Sequence, residues 1–366
     1  MKFGIVGRST ESIFKYQGWP TVCRDENGTL FVACSGHRLA HVCPFGKNLM
    51  YTSIDEGDSW SDPAIINDTP LDDRDAGLTP LGDGKILMTY FNNSAAFYID
   101  RDKNNPSVDP FVSAAYGVWN KLPEEKKVAG SYCMLSRDGG MSFGERSESP
   151  VSTPHGPIKL SDGRLLYLGR GTTHRDIPED GIYACESTDD GASWNILSRI
   201  PKSDDMTDAE LMCEPHLVEL NDSTLLGAIR VQTSGKGLYF TIYTCTSSDG
   251  GRTWTTPEAT GICGSPPHLI LHSSGAVILT YARRVAPLGE YARISLDGGK
   301  SWSEEKSIGP ESPVPDCGYP SSAELSDGSV ITVYYQRYEK DNYCSVLYTK
   351  WTLDEVFGDL LKKADK

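Results

Sequence analysis

Asp75, Glu214 and Tyr319 stand at the same distance from three equivalent turns, each eight residues before the turn residue Asp83, Asp222 or Asp327. Two carboxylates and a phenol that face one axis are costly to bury unless they are paired or used. A carboxylate can take the proton of a phenol, and the phenolate is then a nucleophile. A second set consists of arginines just beyond the same turns. Arg170 and Arg230 lie seven residues after Gly163 and Ser223, while Arg38, Arg283, Arg284 and Arg337 fall one to three residues later in their own repeats. Guanidinium forks gathered over one channel suggest a carboxylate or sulfate ligand. Pairing with acidic neighbours is the alternative. A third set is His155, His216 and His268, each preceded by a proline. Three imidazoles could bind a metal, serve as the base of a uronate lyase with Tyr319 as acid, or be satisfied within the channel; the reading assigns no metal.

These residues need elements that bring them together. The pattern Ser-x-Asp-x-Gly-x-Ser/Thr-aromatic occurs five times, beginning at Ser53, Ser136, Ser187, Ser247 and Ser295 and ending at Trp60, Phe143, Trp194, Trp254 and Trp302. In a hairpin turn the Asp accepts backbone N–H bonds, the Gly supplies positive φ, and the aromatic can fold back as a plug between layers. Turn chemistry accounts for the motif without a bound ligand. Before each copy comes a two-strand unit with an Asx-Gly-like turn, at Asn27, Asp83, Asp162, Asp222 and Ser274, and a sixth unit turns at Asp327. Six four-stranded units predict an all-β fold, a six-bladed β-propeller, as one domain over residues 1–366. Residues 342–351 with an N-terminal strand near residues 3–6 are expected to finish the sixth blade.

Two segments break the rhythm. Residues 92–131 read as an insertion in blade 2 with a helical piece from Pro110 to Lys127, where Tyr98, Tyr116 and Trp119 would either face a sugar or pack the insertion down. Residues 353–363 read as a short amphipathic helix capping the surface.

Composition narrows the partners. The chain has 366 residues with 35 Lys+Arg against 50 Asp+Glu, a formal charge of −15. That excess repels phosphates, so neither nucleic acid nor an acidic membrane surface is an expected partner. No apolar run approaches the ~20 residues that span a bilayer, and the first residues hold no apolar stretch of signal-peptide length. Ten cysteines without a CxxC pair suggest free thiols in a reducing compartment, hence a cytoplasmic location, with a mature secreted chain that has lost its signal peptide as the alternative. The oligomeric state is left open.

The repeated turns resemble the Asp-boxes of the sialidase (neuraminidase) superfamily, over nearly the whole chain. Cys213-Glu214-Pro215-His216, with Arg230 sixteen residues beyond Glu214, resembles the segment carrying that family's glutamate and one arginine of its carboxylate-binding triad. Gly318-Tyr319-Pro320-Ser321-Ser322 is similar to the segment of the tyrosine nucleophile, and Arg284 sits where another triad arginine is expected. Two positions depart from the pattern. Sialidases open with Arg-Ile-Pro, whereas this chain has Gly18-Trp19-Pro20, and the loop His37-Arg38-Leu39-Ala40-His41-Val42 lacks the family's acid/base aspartate. Arg38 or Arg74 could replace the arginine, and Asp75 or His41 the acid.

The resemblance implies a cofactor-free glycoside hydrolase that releases a terminal acidic sugar, sialic acid or a relative, from a glycan. Glu214 would take the proton of Tyr319, whose oxygen attacks the anomeric carbon with retention. Arg230 and Arg284 would hold the substrate carboxylate, with Arg38, Arg74, Arg170 and the three Pro-His histidines as further contacts. Two other readings stay open: a uronate-directed lyase or hydrolase using the histidines and Tyr319, and a carbohydrate-binding propeller without activity.

Overall fold

Alternating apolar runs joined by tight turns fold into antiparallel meanders, and six of these stand as blades in a ring, a β-propeller. The structure is a computed structural model that describes residues 1–171, 181–207, 210–233 and 240–364. The inner strands of blades 1, 2, 4 and 6 are Tyr16–Arg24, Asp72–Gly82, Glu210–Glu219 and Gly318–Glu324; that of blade 5 is the shorter His268–Leu271. In blade 3 the inner strand is split into Val151–Ser152 and Ile158–Lys159, with Pro154 and Pro157 between them. Proline has no N–H to give to a ladder, so the strand breaks there. The sixth blade joins the two ends of the chain: Lys2–Gly7 pairs antiparallel with Cys344–Trp351.

The five Asp-box turns share one hydrogen-bond network. In the third, Ser187 Oγ donates to Asp189 Oδ1 at 2.8 Å and accepts from Gly191 N at 2.9 Å. Ser193 closes it, with N to Oδ1 at 2.9 Å and Oγ to Oδ2 at 2.6 Å. The Ser142 and Thr253 bonds hold the carboxyls of Asp138 and Asp249 down at about 2. Each terminal aromatic is a plug at the seam with the preceding blade. Trp254 of blade 4 packs with Leu166 and Leu168 of blade 3, and Trp302 of blade 5 packs against Leu226 and Ala228 of blade 4.

Blade 6 has no Asp-box, and the C-terminal helix fills its seam instead. This helix, α3 (Leu353–Ala364), buries Leu353 and Phe357 against Trp351, Ile278 and Ile294 at the junction of blades 5 and 6. Thr352 Oγ1 accepts from Glu355 N at 3.2 Å, an N-cap contact in a Thr-x-x-Glu sequence. The helix is therefore a seam element as well as a surface cap.

The insertion holds two helices, α1 (Ala95–Asp102) and α2 (Pro110–Trp119), then a single turn at Glu124–Lys126. The first, capped by Ser94 Oγ, was not expected from sequence. The three aromatics considered for a sugar-facing wall pack the insertion instead. Tyr98 is buried and donates to Asp72, Tyr116 donates to Asp102 at 2.6 Å, and Trp119 lies under Lys127.

All ten cysteines are free thiols. No helix among the described residues is long and apolar enough to cross a membrane.

Phe357 is 2% exposed, and truncating a buried phenylalanine costs about 3–5 kcal/mol. Removing the Ser187 hydroxyl loses one buried hydrogen-bonding group, about 1 kcal/mol. Guanidinium unfolding should therefore show a clearly larger fall in midpoint for Phe357→Ala than for Ser187→Ala. Equal shifts would mean that α3 does not close the seam.

Candidate active site

At one end of the channel four inner strands break their ladders at the same place. The register shifts between Gly18 and Thr21, Arg74 and Gly77, Cys213 and His216, and Gly318 and Ser321. Within each break one residue is left-handed: Trp19 (φ 55°), Asp75 (φ 48°), Glu214 (φ 45°) and Tyr319 (φ 54°). A non-glycine residue in that region costs roughly 1–2 kcal/mol, and a bulge of this kind re-aims its side chain. Gly318 before the tyrosine is required in its own right, with φ 126° and a Cβ that would stand 2.7 Å from Ala282 Cβ. The strain thus gathers on the aligned acid, glutamate and tyrosine, with Trp19 as a fourth.

Glu214 and Tyr319 meet directly. Tyr319 Oη donates to Glu214 Oε1 at 2.5 Å, and Arg230 Nη1 donates to Glu214 Oε2 and, at 3.4 Å, to Tyr319 Oη. Arg230 Nη2 is held by Gln232 Oε1 at 2.5 Å. Burial pushes the Tyr319 phenol well above its ordinary value, the nearby Glu214 carboxylate adds to the shift, and Arg230 and Arg284 oppose it. Burial disfavours the charge on Arg230, but Glu214 and the other groups around it keep the guanidinium protonated. Glu214 is therefore placed to accept the proton of a phenol that would not ionise unaided.

Beside this trio a cavity of about 420 Å³ opens between blades 2, 3 and 4, its wall including Asp75, Asn92, Thr153, Arg170, Glu214 and Arg230. Asp75 is 5% exposed, and its Oδ1 has no hydrogen-bond partner among the described residues. Burial lifts its carboxyl to about 7, with Arg74 opposing and Glu214 reinforcing the shift. Asp75 thus changes charge near neutrality, inside the cavity wall.

The remaining arginines divide. Arg284 lies 5.5 Å from the centre of the Tyr319 ring and donates to Cys317 O at 3.2 Å and Tyr335 Oη at 3.4 Å. Arg74 stacks on Trp19 at 4.0 Å and reaches Asp72 Oδ2 at 3.4 Å. Both guanidiniums bear on the phenol of Tyr319. Arg38 is fully buried, clasped by Asp72 and donating to Ser35 Oγ and His41 O, so it braces the loop and presents nothing to the cavity. Arg283 pairs with Glu305.

The histidines separate as well. His41 stands at the channel mouth, its ring edge-on to Trp19 at 4.8 Å. His216 lies late in its inner strand, His268 opens that of blade 5 and His155 lies between the two pieces of blade 3. All three line a different cavity, of about 560 Å³, which shares no lining residue with the first. The structure does not bring these three to the substrate contacts expected of them. Their rings pack together, His216 stacked on His268 at 4.3 Å and His155 edge-on to both. Nδ1 of His216 accepts from Leu269 N and Nδ1 of His268 from Ser322 N. Burial holds His155 and His268 well below the ordinary range and His216 down at about 3, so all three are neutral bracing groups of the channel.

Sequence reasoning missed Tyr16, Asp72 and Asp316. Asp72 holds Arg38 and Tyr98. Asp316 bonds to Tyr16 and His41, which lie about 300 and 275 residues away along the chain. The sequence signal was that each lies three residues before a bulge residue, Trp19, Asp75 or Tyr319.

Residues 112–333 match the BNR repeat-like domain family. A Dyadobacter fermentans protein described as of unknown function superposes with a TM-score of 0.75 at 21% identity, over 96% of this chain and 97% of its own. NanB sialidase of Streptococcus pneumoniae gives 0.70 at 15% identity, over 97% and 71%. The intramolecular trans-sialidase of Ruminococcus gnavus gives 0.65 at 15% identity, over 96% and 97%. At these identities the likeness carries the fold. No curated protein sequence matches the chain.

Asp75 has a testable signature in stability. Its folded carboxyl, at about 7, lies above the ordinary 3.8, so the stability it contributes is full below about pH 4 and is lost as pH rises through 7. Asp73, lifted by burial to about 6, acts in the same direction. The melting temperature of Asp75→Asn relative to wild type should therefore rise between pH 4 and pH 8. A constant difference would mean that Asp75 is ionised throughout.

Proposed function

The chain belongs to the BNR repeat-like domain family, and we propose that it is a sialidase-like glycoside hydrolase that releases a terminal acidic sugar through a tyrosine nucleophile. The observation that carries this reading is the bonded trio of Tyr319, Glu214 and Arg230 at the mouth of the channel, with Tyr319 and Glu214 on strained bulges. A structural ion pair does not need a buried phenol donating to a carboxylate, nor left-handed backbone at both residues.

The chemistry follows from the charges. A substrate carboxylate would repel an attacking Asp or Glu, whereas a neutral phenol approaches freely and becomes nucleophilic only as Glu214 takes its proton. Arg230, Arg284 and Arg74 surround Tyr319 and would hold the substrate carboxylate; the forked guanidinium suits that group. Asp75, Asn92 and Arg170 line the adjoining cavity and would receive the rest of the sugar. Tyr319 Oη would bond to the anomeric carbon as the glycosidic C–O bond breaks. Water would then attack that carbon while Glu214 returns the proton to the phenolate. Asp75 and His41 are the groups that could protonate the leaving oxygen and then take the proton of the attacking water.

The lyase reading needs a basic imidazole beside Tyr319, and the three Pro-His histidines lie at the other cavity with depressed basicity. Glycan binding without turnover is tested with the lead reading. Release of methylumbelliferone from its sialoside by wild type should fall about 10²–10⁴-fold in kcat in Glu214→Gln, the range for a positioned base, and at least as much in Tyr319→Phe, which lacks the nucleophilic oxygen. Wild-type binding of sialic acid with no turnover, or full activity in Tyr319→Phe, would overturn the reading.

A further inference from the structure

His41 is held as one half of a dyad. Its Nδ1 lies 2.8 Å from Asp316 Oδ1 and 3.0 Å from Tyr16 Oη, and Tyr16 Oη donates to both Asp316 oxygens, at 2.9 and 3.0 Å. With the phenol proton committed to the carboxylate, Nδ1–H of the imidazole donates to Asp316. Nε2, which has no hydrogen-bond partner among the described residues, is then the reactive nitrogen. The backbone is fixed too, since His41 O accepts from Arg38 at 3.0 Å and from Arg74 at 3.4 Å. Burial alone would raise the Asp316 carboxyl, but hydrogen bonds from His41 and Tyr16 hold it below its ordinary value, so it stays ionised.

Position separates His41 from Asp75. An enzyme that removes a terminal sugar encloses the ring and leaves the rest of the glycan in solvent, so the leaving oxygen lies at the rim. Asp75 and Tyr319 are each 5% exposed, whereas the His41 side chain is 43% exposed. Trp19 connects the two levels, with His41 edge-on at 4.8 Å and Tyr319 at 6.4 Å.

We infer that the His41–Asp316 dyad is the acid/base of this site, His41 carrying the proton and Asp316 and Tyr16 acting as positioning residues. The assignment rests on the tyrosine mechanism above. In the first step protonated His41 gives the Nε2 proton to the leaving oxygen as the C–O bond breaks, the Tyr319 Oη bond to the anomeric carbon forms, and the Tyr319 proton passes to Glu214. In the second step neutral His41 takes a proton from water, whose oxygen bonds to the anomeric carbon, and Glu214 returns its proton to the departing phenolate. Asp75, in the cavity wall and neutral below about pH 7, donates a hydrogen bond to a sugar hydroxyl.

The test is dependence on the leaving group. Wild type, His41→Ala, Asp316→Asn, Asp316→Glu and Asp75→Asn are compared on 3′-sialyllactose and on phenyl, methylumbelliferyl and 4-nitrophenyl sialosides. General acid catalysis supplies about 10²–10⁴-fold, so His41→Ala should lose that much kcat on sialyllactose with KM little changed. On the 4-nitrophenyl sialoside, whose phenolate needs no proton, bond cleavage should fall less than about tenfold. Azide, which attacks without general base help, should yield the sialyl azide and restore turnover. Asp316→Asn should show the same dependence at smaller size, partly recovered by Asp316→Glu. Equal losses of His41→Ala on all four substrates, or the steep dependence moving to Asp75→Asn, would overturn the dyad while leaving the tyrosine mechanism standing. No wild-type turnover on any of the four would overturn both.

Discussion

The left-handed bulge in an inner strand is the constraint on which the rest of the site depends. A regular strand turns successive side chains to alternate faces, into the seams between blades, and offers little to the axis. One extra residue at positive φ breaks that alternation and aims a side chain over the channel mouth. Four blades use it at the same level, for Trp19, Asp75, Glu214 and Tyr319. The cost of roughly 1–2 kcal/mol each is tolerable because every strained strand is clamped by a ladder on one side and by seam packing on the other. Blades 3 and 5 carry prolines at the equivalent count and have broken or short inner strands. Space follows from that gap, and the 420 Å³ cavity has Thr153 and Pro154 in its wall where the blade 3 strand is missing.

The two clusters of ionisable side chains in the channel differ in their electrostatics. At the bulges, ionisable groups stand close enough to shift one another, and a phenol, a carboxylate and guanidiniums share protons and hydrogen bonds. Two residues further along blade 4, and at matching places in blades 3 and 5, three imidazoles pack ring against ring with Nδ1 bonded to protein groups. Burial lowers their basicity, so the channel gains polar fasteners without buried positive charge. The same strand therefore presents Glu214 to the Tyr319 phenol at its bulge and a bracing imidazole at His216 just beyond it.

The architecture was legible because local turn chemistry repeats: Ser, Asp and Gly at fixed offsets specify a network that needs no distant partner. Counting back from the Asx-Gly-like turns found Asp75, Glu214 and Tyr319, since strand length between turn and bulge is shared among blades. What escaped notice lacks such a ruler. Asp316 matters through Tyr16 and His41, across the ring closure between blades 6 and 1, and no spacing in the chain encodes that contact. Arg38 looked like a ligand-binding arginine because the count marks position along a strand and is blind to Asp72, which neutralises it. The histidines show the same limit in reverse, since a shared Pro-His pair fixed their level in the channel but not whether that level carries chemistry.

The departure at Gly18 and the dyad at His41 come from one packing arrangement. In the resembling family an arginine stands near this point, but a Cβ on Gly18 would lie 3.3 Å from the ring of Tyr16 and 3.6 Å from that of Tyr335. Those rings are not passive filler. Tyr16 Oη bonds to Asp316, and Tyr335 Oη accepts from Arg284. A long side chain at 18 would displace the groups that hold both the carboxylate of the dyad and one arginine beside Tyr319. In the proposed function the positive charge would come instead from Arg74, which lies over the face of Trp19 from blade 2. The indole thus has a guanidinium 4.0 Å from its ring centre and the His41 imidazole edge-on at 4.8 Å, so a single side chain on a strained bulge sets the spacing between the charge that would bind an acidic sugar and the imidazole that would protonate its leaving group.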